Sequence, residues 1–346
     1  MKRFLVLEDG SVFEGGSFGS PSLAGGEVVF NTGMTGYTQA ITDPSYKGQI
    51  LCQTFPLIGN YGVDERDFES ASPKIEGYVA GEACERPSHR AAFLTLDETL
   101  KKYGVPGISG VDTRRLTKTL RARGTMLGAI TDAPVMPKIT DPNHTDLVSL
   151  VTVKEPLIYQ GAGPTIAVMD CGAKENIIRS LIARGARVVR LPASYSADKI
   201  MSFNPQGILI SNGPGDPAIA APAIAAAKEL MQYKIPIFGI CLGMQILALA
   251  MGGTTHKLKF GHRGQNHACI DVKTSKCYIT SQNHGYAVNN LPDYAEATML
   301  DVNDRTVEGM SHKILPFFAV QFHPEASPGP RDTEFLFDKF IAMVKR

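Results

Sequence analysis

The sequence has no surplus of either charge. Lys plus Arg is 35 and Asp plus Glu is 34 in 346 residues, a formal charge of 35 − 34 = +1, and no block of like charge occurs. A protein that holds nucleic acid by its phosphates needs a basic excess or stripe, so the balance argues against that class. Cysteine is sparse: the six, at 52, 84, 171, 241, 269 and 277, form no C-x-x-C pair. That excludes a disulfide framework and points to a reduced, cytoplasmic setting. The opening MKRFLVLEDGSVFEGG has only four apolar residues in a row before Glu8, too few for a secretory signal core. No G-x-x-x-x-G-K-[ST] loop, internal repeat or low-complexity tract occurs, so ATP chemistry is not expected in this chain.

Long apolar runs are also nearly absent. The nearest is IPIFGICLGMQILALAMGG, residues 235–253, in which only Gln245 is clearly polar. Its length approaches a membrane span. Pro236 and four glycines interrupt it, however, and no second span follows. A buried strand, a sharp turn at Cys241 and a buried helix explain the same residues, so no membrane contact is expected.

What is present divides into two domains, as the length permits. Up to about residue 140, short apolar runs alternate with turn signals. Asp9-Gly10 between two such runs predicts a hairpin. GVDTRRLTKTLRARG predicts a helix over about 113–122, with Asp112 as N-cap and Gly124 as stop. These features imply a smaller mixed α/β N-terminal domain over 1–140. Residues 141–164, in a stretch holding Pro134, Pro137, Pro142, Pro156 and Pro164, read as a linker. From 165 to 346 strands alternate with helices: TIAVMD, AKENIIRSLIARG, ARVVRLPA, GILISNGPGDP, PAIAAAKELMQYK, IPIFGI. That rhythm predicts an open, mostly parallel α/β sheet with flanking helices. Ligands of such sheets bind at the carboxyl ends of strands, where SNGPGD and GICLG both fall.

In G-x-C-x-G the cysteine takes a strained turn between strand and helix, and Gly239 and Gly243 lack side chains because backbone passes close. Cys241 then stands at a helix start, where the dipole and free N–H groups favour an anion. Cys52, Cys84, Cys269 and Cys277 have no such setting and read as structural. Cys171 follows a strand end but lacks the glycine bracket. A thiolate needs a proton partner. His323, in PFFAVQFHPEASPGP, sits just past an apolar strand, and Glu325 two residues on points the same way in extended chain. Cys241, His323 and Glu325 together make a triad for acyl transfer. His256, His262 and His267 are spaced six and five apart, which matches no usual zinc pattern, so no metal is expected.

GICLGMQ with QFHPE resembles the class I, triad-type glutamine amidotransferases, and SNGPGDP and SQNHGYAV are similar to loops of that family. VFNTGMTGYTQAITDPSYKGQI and GVDTRRLT in the first half resemble the small subunits of carbamoyl phosphate synthetases, so the likeness spans nearly the whole chain. Met244 departs from the histidine common at its position, without touching the triad. The resemblance implies that Cys241 attacks the amide of L-glutamine and forms a thioester, that His323 passes protons, and that Glu325 orients the ring. Donors for the oxyanion are expected at Leu242 and Gly213. The resemblance adds Ser45 (reaching across from the first domain), Gly215, Gln245, Asn283, Gly285 and Tyr286 as glutamine contacts. Read unaided, Ser45 is a turn-capping serine and Gln245 is equally a satisfied core amide. The resemblance further implies a large partner subunit that uses ATP, magnesium and bicarbonate to make carbamoyl phosphate for arginine or pyrimidine synthesis. This chain itself would then carry no cofactor. Three other readings are a different amidotransferase subunit (anthranilate or GMP synthesis), a free-standing γ-glutamyl cysteine hydrolase, and a catalytically dead regulatory scaffold.

Overall fold

The hairpin at Asp9-Gly10 forms as expected: Lys2–Leu7 and Val12–Gly19 pair antiparallel, around a turn in which Gly10 takes φ +84°. They belong to a computed structural model that describes residues 1–345. The chain divides into two units, Met1–Thr145 and the remainder from Asp146.

In the first unit seven strands close into a barrel. Their order is Lys2–Leu7, Val12–Gly19, Pro106–Ser109, Gly77–Val79, Gln49–Gln53, Ala24–Asn31 and Met126–Thr131. The expected mixed α/β domain is therefore a closed barrel with added helices. Closure removes the exposed edges that such short strands would otherwise leave. The predicted helix spans Thr113–Arg123, with the Asp112 carboxylate accepting from Arg115 N–H and Gly124 after its last turn. Its Leu116 and Leu120 are fully buried.

The second unit is built on a ten-stranded sheet. At its centre Arg187–Pro192, Thr165–Asp170, Gly207–Ile210, Ile237–Ile240 and Phe317–Val320 run parallel. Beyond Phe317–Val320 the strands Val307–His312, Cys277–Asn290, Thr254–Asp271 and Ala295–Asp301 continue it antiparallel. The expected open, mostly parallel sheet is thus parallel only in its middle. Residues 141–164, expected as a linker, hold the helix Val148–Val151 and the strand Leu157–Tyr159. That strand pairs antiparallel with Arg187–Pro192 and is part of the sheet.

Alternate residues of the central strands enter two separate cores. Ala167 and Met169 join a cluster with helix residues Ile200, Ala227, Leu230 and Leu247. Ile166 and Val168 join another with Ile178, Leu181, Phe337 and Phe340. Helices thus cover both faces, which is why these strands read as continuous apolar runs rather than alternating ones. Phe238 shows the consequence for position. Its ring stacks on Phe318 at 4.4 Å and meets Phe337 at 5.7 Å and Phe340 at 5.6 Å. Burying such a side chain stabilises by about 1.5–3 kcal/mol, and here it locks two neighbouring parallel strands to one helix. Among the described residues no helix is long and apolar enough to cross a membrane.

Candidate active site

Those two locked strands end side by side, with Ile240 registered against Val320. Cys241 follows the first and is tied to the second by its N–H, which donates to Val320 O at 2.8 Å. Its backbone sits at φ +53°, ψ −106°, a conformation an L-residue adopts only when its surroundings impose it. The glycine bracket imposes it. A Cβ on Gly239 would stand 2.7 Å from Gly243 O, and one on Gly243 would stand 2.0 Å from Ile210 O. The helix Leu242–Ala250 begins at once, with Cys241 at its N-cap. Its first N–H groups, Leu242 among them, have no partner inside the helix and suit a developing oxyanion. Cys241 is 2% exposed, and its thiol donates to Asn283 O at 3.7 Å.

His323 lies three residues past its strand, held by its N–H to Ser281 O at 2.9 Å. Its Nδ1 meets Glu325 Oε1 at 2.7 Å, while Nε2 is buried with no hydrogen-bond partner among the described residues. The carboxylate fixes the tautomer and leaves Nε2 for proton exchange. Burial disfavours the imidazolium. The Glu325 charge, its hydrogen bond to the ring and the nearby Cys241 thiol outweigh it and raise the His323 pKa, against opposition from Lys174. For Glu325 burial also works against the charge, but Lys174 and His323 hold its carboxyl well below the ordinary range.

Lys174 was not found by sequence reasoning. Its Nζ donates to Glu325 Oε1 at 2.9 Å, from a position 151 residues away in the chain. It lies at the N-cap of the helix Glu175–Ala183, where its own N–H donates to Asn212 Oδ1 at 3.1 Å. No spacing rule links it to Glu325.

The other expected positions lie on four separate elements. Gly213 follows the adjacent strand Gly207–Ile210, and a Cβ there would stand 2.1 Å from Cys171 O, so only glycine allows that loop to close in. Gly215 takes φ +87° next to Leu147. Asn283, Gly285 and Tyr286 share the strand Cys277–Asn290. Gln245 is buried, and its amide donates to Tyr286 O at 2.8 Å and Gln321 Oε1 at 3.0 Å. It therefore ties the helix after Cys241 to that strand. Ser45 belongs to the first unit, buried in the turn Pro44–Tyr46, with its N–H donating to Asp43 Oδ1 at 2.9 Å. Met244 is fully buried in the apolar core. Cys171 is fully buried and burial pushes its thiol up, as it does for Cys52 and Cys269, so these three are poor nucleophiles. His256 is exposed, whereas His262 is buried.

Two family models match the chain: "Glutamine amidotransferase class-I" over residues 167–343 and "Carbamoyl-phosphate synthase small chain, CPSase domain" over residues 5–130. The chain is 48% identical to the carbamoyl phosphate synthase small chain of Symbiobacterium thermophilum, covering 98% of each chain. It is 48% identical to that of Clostridium perfringens, covering 99% of each. With the pyrimidine-specific small chain of Bacillus subtilis it shares 47% identity, over 100% of this chain and 96% of that one. Both halves and the full length agree: the chain belongs to the carbamoyl phosphate synthase small-chain family, with a class I glutamine amidotransferase domain.

Proposed function

We propose that this chain hydrolyses the side-chain amide of L-glutamine and delivers the ammonia to a large, ATP-dependent synthetase subunit that makes carbamoyl phosphate from bicarbonate. The observation that carries the reading is a strained cysteine at a helix start, beside a histidine oriented by a buried carboxylate. The Cys241 sulfur attacks the amide carbon, and the negative charge on oxygen is met by the N–H groups of Leu242 and Gly213. His323 gives its proton to the departing ammonia, leaving a γ-glutamyl thioester. It then takes a proton from water as the thioester is cleaved to glutamate. Glu325 stays ionised throughout and holds the ring. Gln245, Asn283, Gly285 and Tyr286 are assigned to glutamine, together with Gly215. ATP and magnesium belong to the partner in this reading. Six free cysteines suit the cytoplasm.

Ammonia is protonated in water, so a chain that made it without a consumer would lose it. The test is glutamine hydrolysis by the isolated chain and by its complex with the large subunit during ATP turnover. A rapid-quench search for a glutamyl adduct on the Cys241 peptide accompanies it. The proposal expects slow hydrolysis alone, faster hydrolysis in the complex, and an adduct on Cys241. A rate indifferent to the partner supports a free-standing hydrolase instead, and an adduct on another residue removes the assignment.

A further inference from the structure

Beside the glutamine contacts lies a buried polar cluster that the reaction above does not use. His262 stands on Thr254–Asp271, Gln282 and His284 on Cys277–Asn290, and Glu308 on Val307–His312. His262 and His284 are registered opposite each other. His284 Nδ1 lies 2.8 Å from Tyr286 O, a carbonyl that can only accept, so Nδ1 carries the proton. The other nitrogen, Nε2, then presents a lone pair to Gln282 Oε1 at 2.8 Å and Glu308 Oε1 at 3.7 Å. His262 repeats the pattern in mirror sense. Its Nε2 lies 2.9 Å from the Asp304 carboxylate and takes the proton, so Nδ1 faces Gln282 Oε1 at 3.1 Å and Glu308 Oε1 at 3.5 Å. The Gln282 amide nitrogen donates to Glu308 Oε2 at 2.9 Å, which fixes its oxygen as the inward atom. With each ring carrying one proton, four lone pairs converge with no hydrogen between them. Either a cation or a second proton on His262, where burial opposes the charge but the Glu308 and Asp304 carboxylates raise the pKa, would meet them.

A cation resolves that convergence. Metal-bound nitrogen and oxygen lie about 2.0–2.2 Å from zinc, so neighbouring ligand atoms in a tetrahedral site are on the order of 3.3–3.5 Å apart. The separations of 3.5 and 3.7 Å from Glu308 Oε1 to the two ring nitrogens lie close to that spacing, whereas Gln282 Oε1, at 3.1 and 2.8 Å from them, draws back by a few tenths of an ångström when the ion binds. Ligating histidines regularly donate their second N–H to a carboxylate or a backbone carbonyl, and here Asp304 and Tyr286 O occupy those two roles. We propose that His262, His284 and Glu308, with the Gln282 carbonyl oxygen, bind a divalent transition-metal ion of the zinc class. The ion clamps three strands and so fixes the segment on which Asn283, Gly285 and Tyr286 lie. Its ligands come from separate strands, which is why the spacing of His256, His262 and His267 does not reveal it.

The test uses the full chain, stripped with chelator and titrated with divalent cobalt as a spectroscopic probe. The proposal expects one equivalent bound, with the visible absorption of a four-coordinate nitrogen and oxygen site and no sulfur-to-cobalt band. His262→Gln abolishes binding and His256→Gln leaves it unchanged. Asp304→Asn, which changes a largely exposed carboxylate, weakens it by about 10- to 100-fold. If His262→Gln fails to fold, the stoichiometry and spectrum of the unaltered chain and the Asp304→Asn shift decide. Absence of uptake overturns the proposal. So does a sulfur-to-cobalt band, or uptake that is indifferent to Asp304→Asn and His262→Gln.

Discussion

Gly243→Ala tests whether close backbone approach is what places the nucleophile. The new Cβ would lie 2.0 Å from Ile210 O and 3.1 Å from Ser211 O. Carbon and oxygen settle at about 3.3 Å or more, so the helix start must retreat by roughly 3.3 − 2.0 = 1.3 Å. Both crowding atoms are main-chain carbonyls of a buried strand end and cannot rotate away. Overpacking of this kind costs about 1–3 kcal/mol, or a fall in melting temperature of about 2–12 °C for a unit of this size. The larger effect is on turnover. Gly243 is two residues from Cys241, and a misplacement of about 1 Å lowers kcat by on the order of 100-fold. Gly252→Ala is the control: φ is +87° there, but nothing lies within 4 Å of the new Cβ. It carries only backbone strain of about 1–2 kcal/mol, and kcat should be unchanged. Glutaminase kinetics and thermal melts of both variants separate stability from geometry. If Gly243→Ala kept wild-type kcat, the account of the glycine bracket would be wrong.

Glu325→Gln should lower kcat less than His323→Asn, because Glu325 orients while His323 moves protons; equal loss in steady-state assays would reverse that division of roles. Glu325→Gln should also cost stability by about 3–5 kcal/mol, since it leaves Lys174 buried without its carboxylate. That cost depends on pH with a definite sign. The Glu325 pKa is lowered, so its stabilisation is complete above about pH 4.5 and fades as pH falls below it. The His323 pKa is raised, so its contribution is complete below about pH 6.5 and fades as pH climbs through the raised value. Denaturant unfolding of wild type and variant should therefore differ most between about pH 4.5 and 6.5, and a difference that grew towards pH 3 would contradict the assigned charges.

Local features of this chain were legible in the sequence, and long-range ones were not. The Asp112-capped helix, the Asp9-Gly10 hairpin and the elbow at Cys241 each depend on residues within a few positions of one another. His323 and Glu325 are two apart, and a tight turn closed by Ala326 N–H to His323 O at 3.2 Å, rather than the extended chain expected, brings them to 2.7 Å. The barrel was hidden because Gly77–Val79 and Pro106–Ser109 are only three and four residues long, rich in glycine and proline, and pair parallel across a long connection. The antiparallel half of the second sheet was hidden differently. Thr254–Asp271 mixes lysine, histidine and glycine, and its register with Cys277–Asn290 shifts three times, so no steady alternation marks it. Leu157–Tyr159 was lost among prolines that read as a linker. Lys174 was missed because only the folded chain brings it to Glu325.

The most direct measurement is Cys241→Ser in the complex with the large subunit, assayed with two nitrogen sources. Cysteine is the stronger nucleophile by nature, and the exchange of sulfur for oxygen barely alters volume, so the glutamine pocket should persist without forming a thioester. The account predicts that carbamoyl phosphate synthesis from glutamine disappears while synthesis from added ammonia continues at the wild-type rate. Loss of both activities would show that Cys241 is structural, and retention of both would show that another residue releases the ammonia.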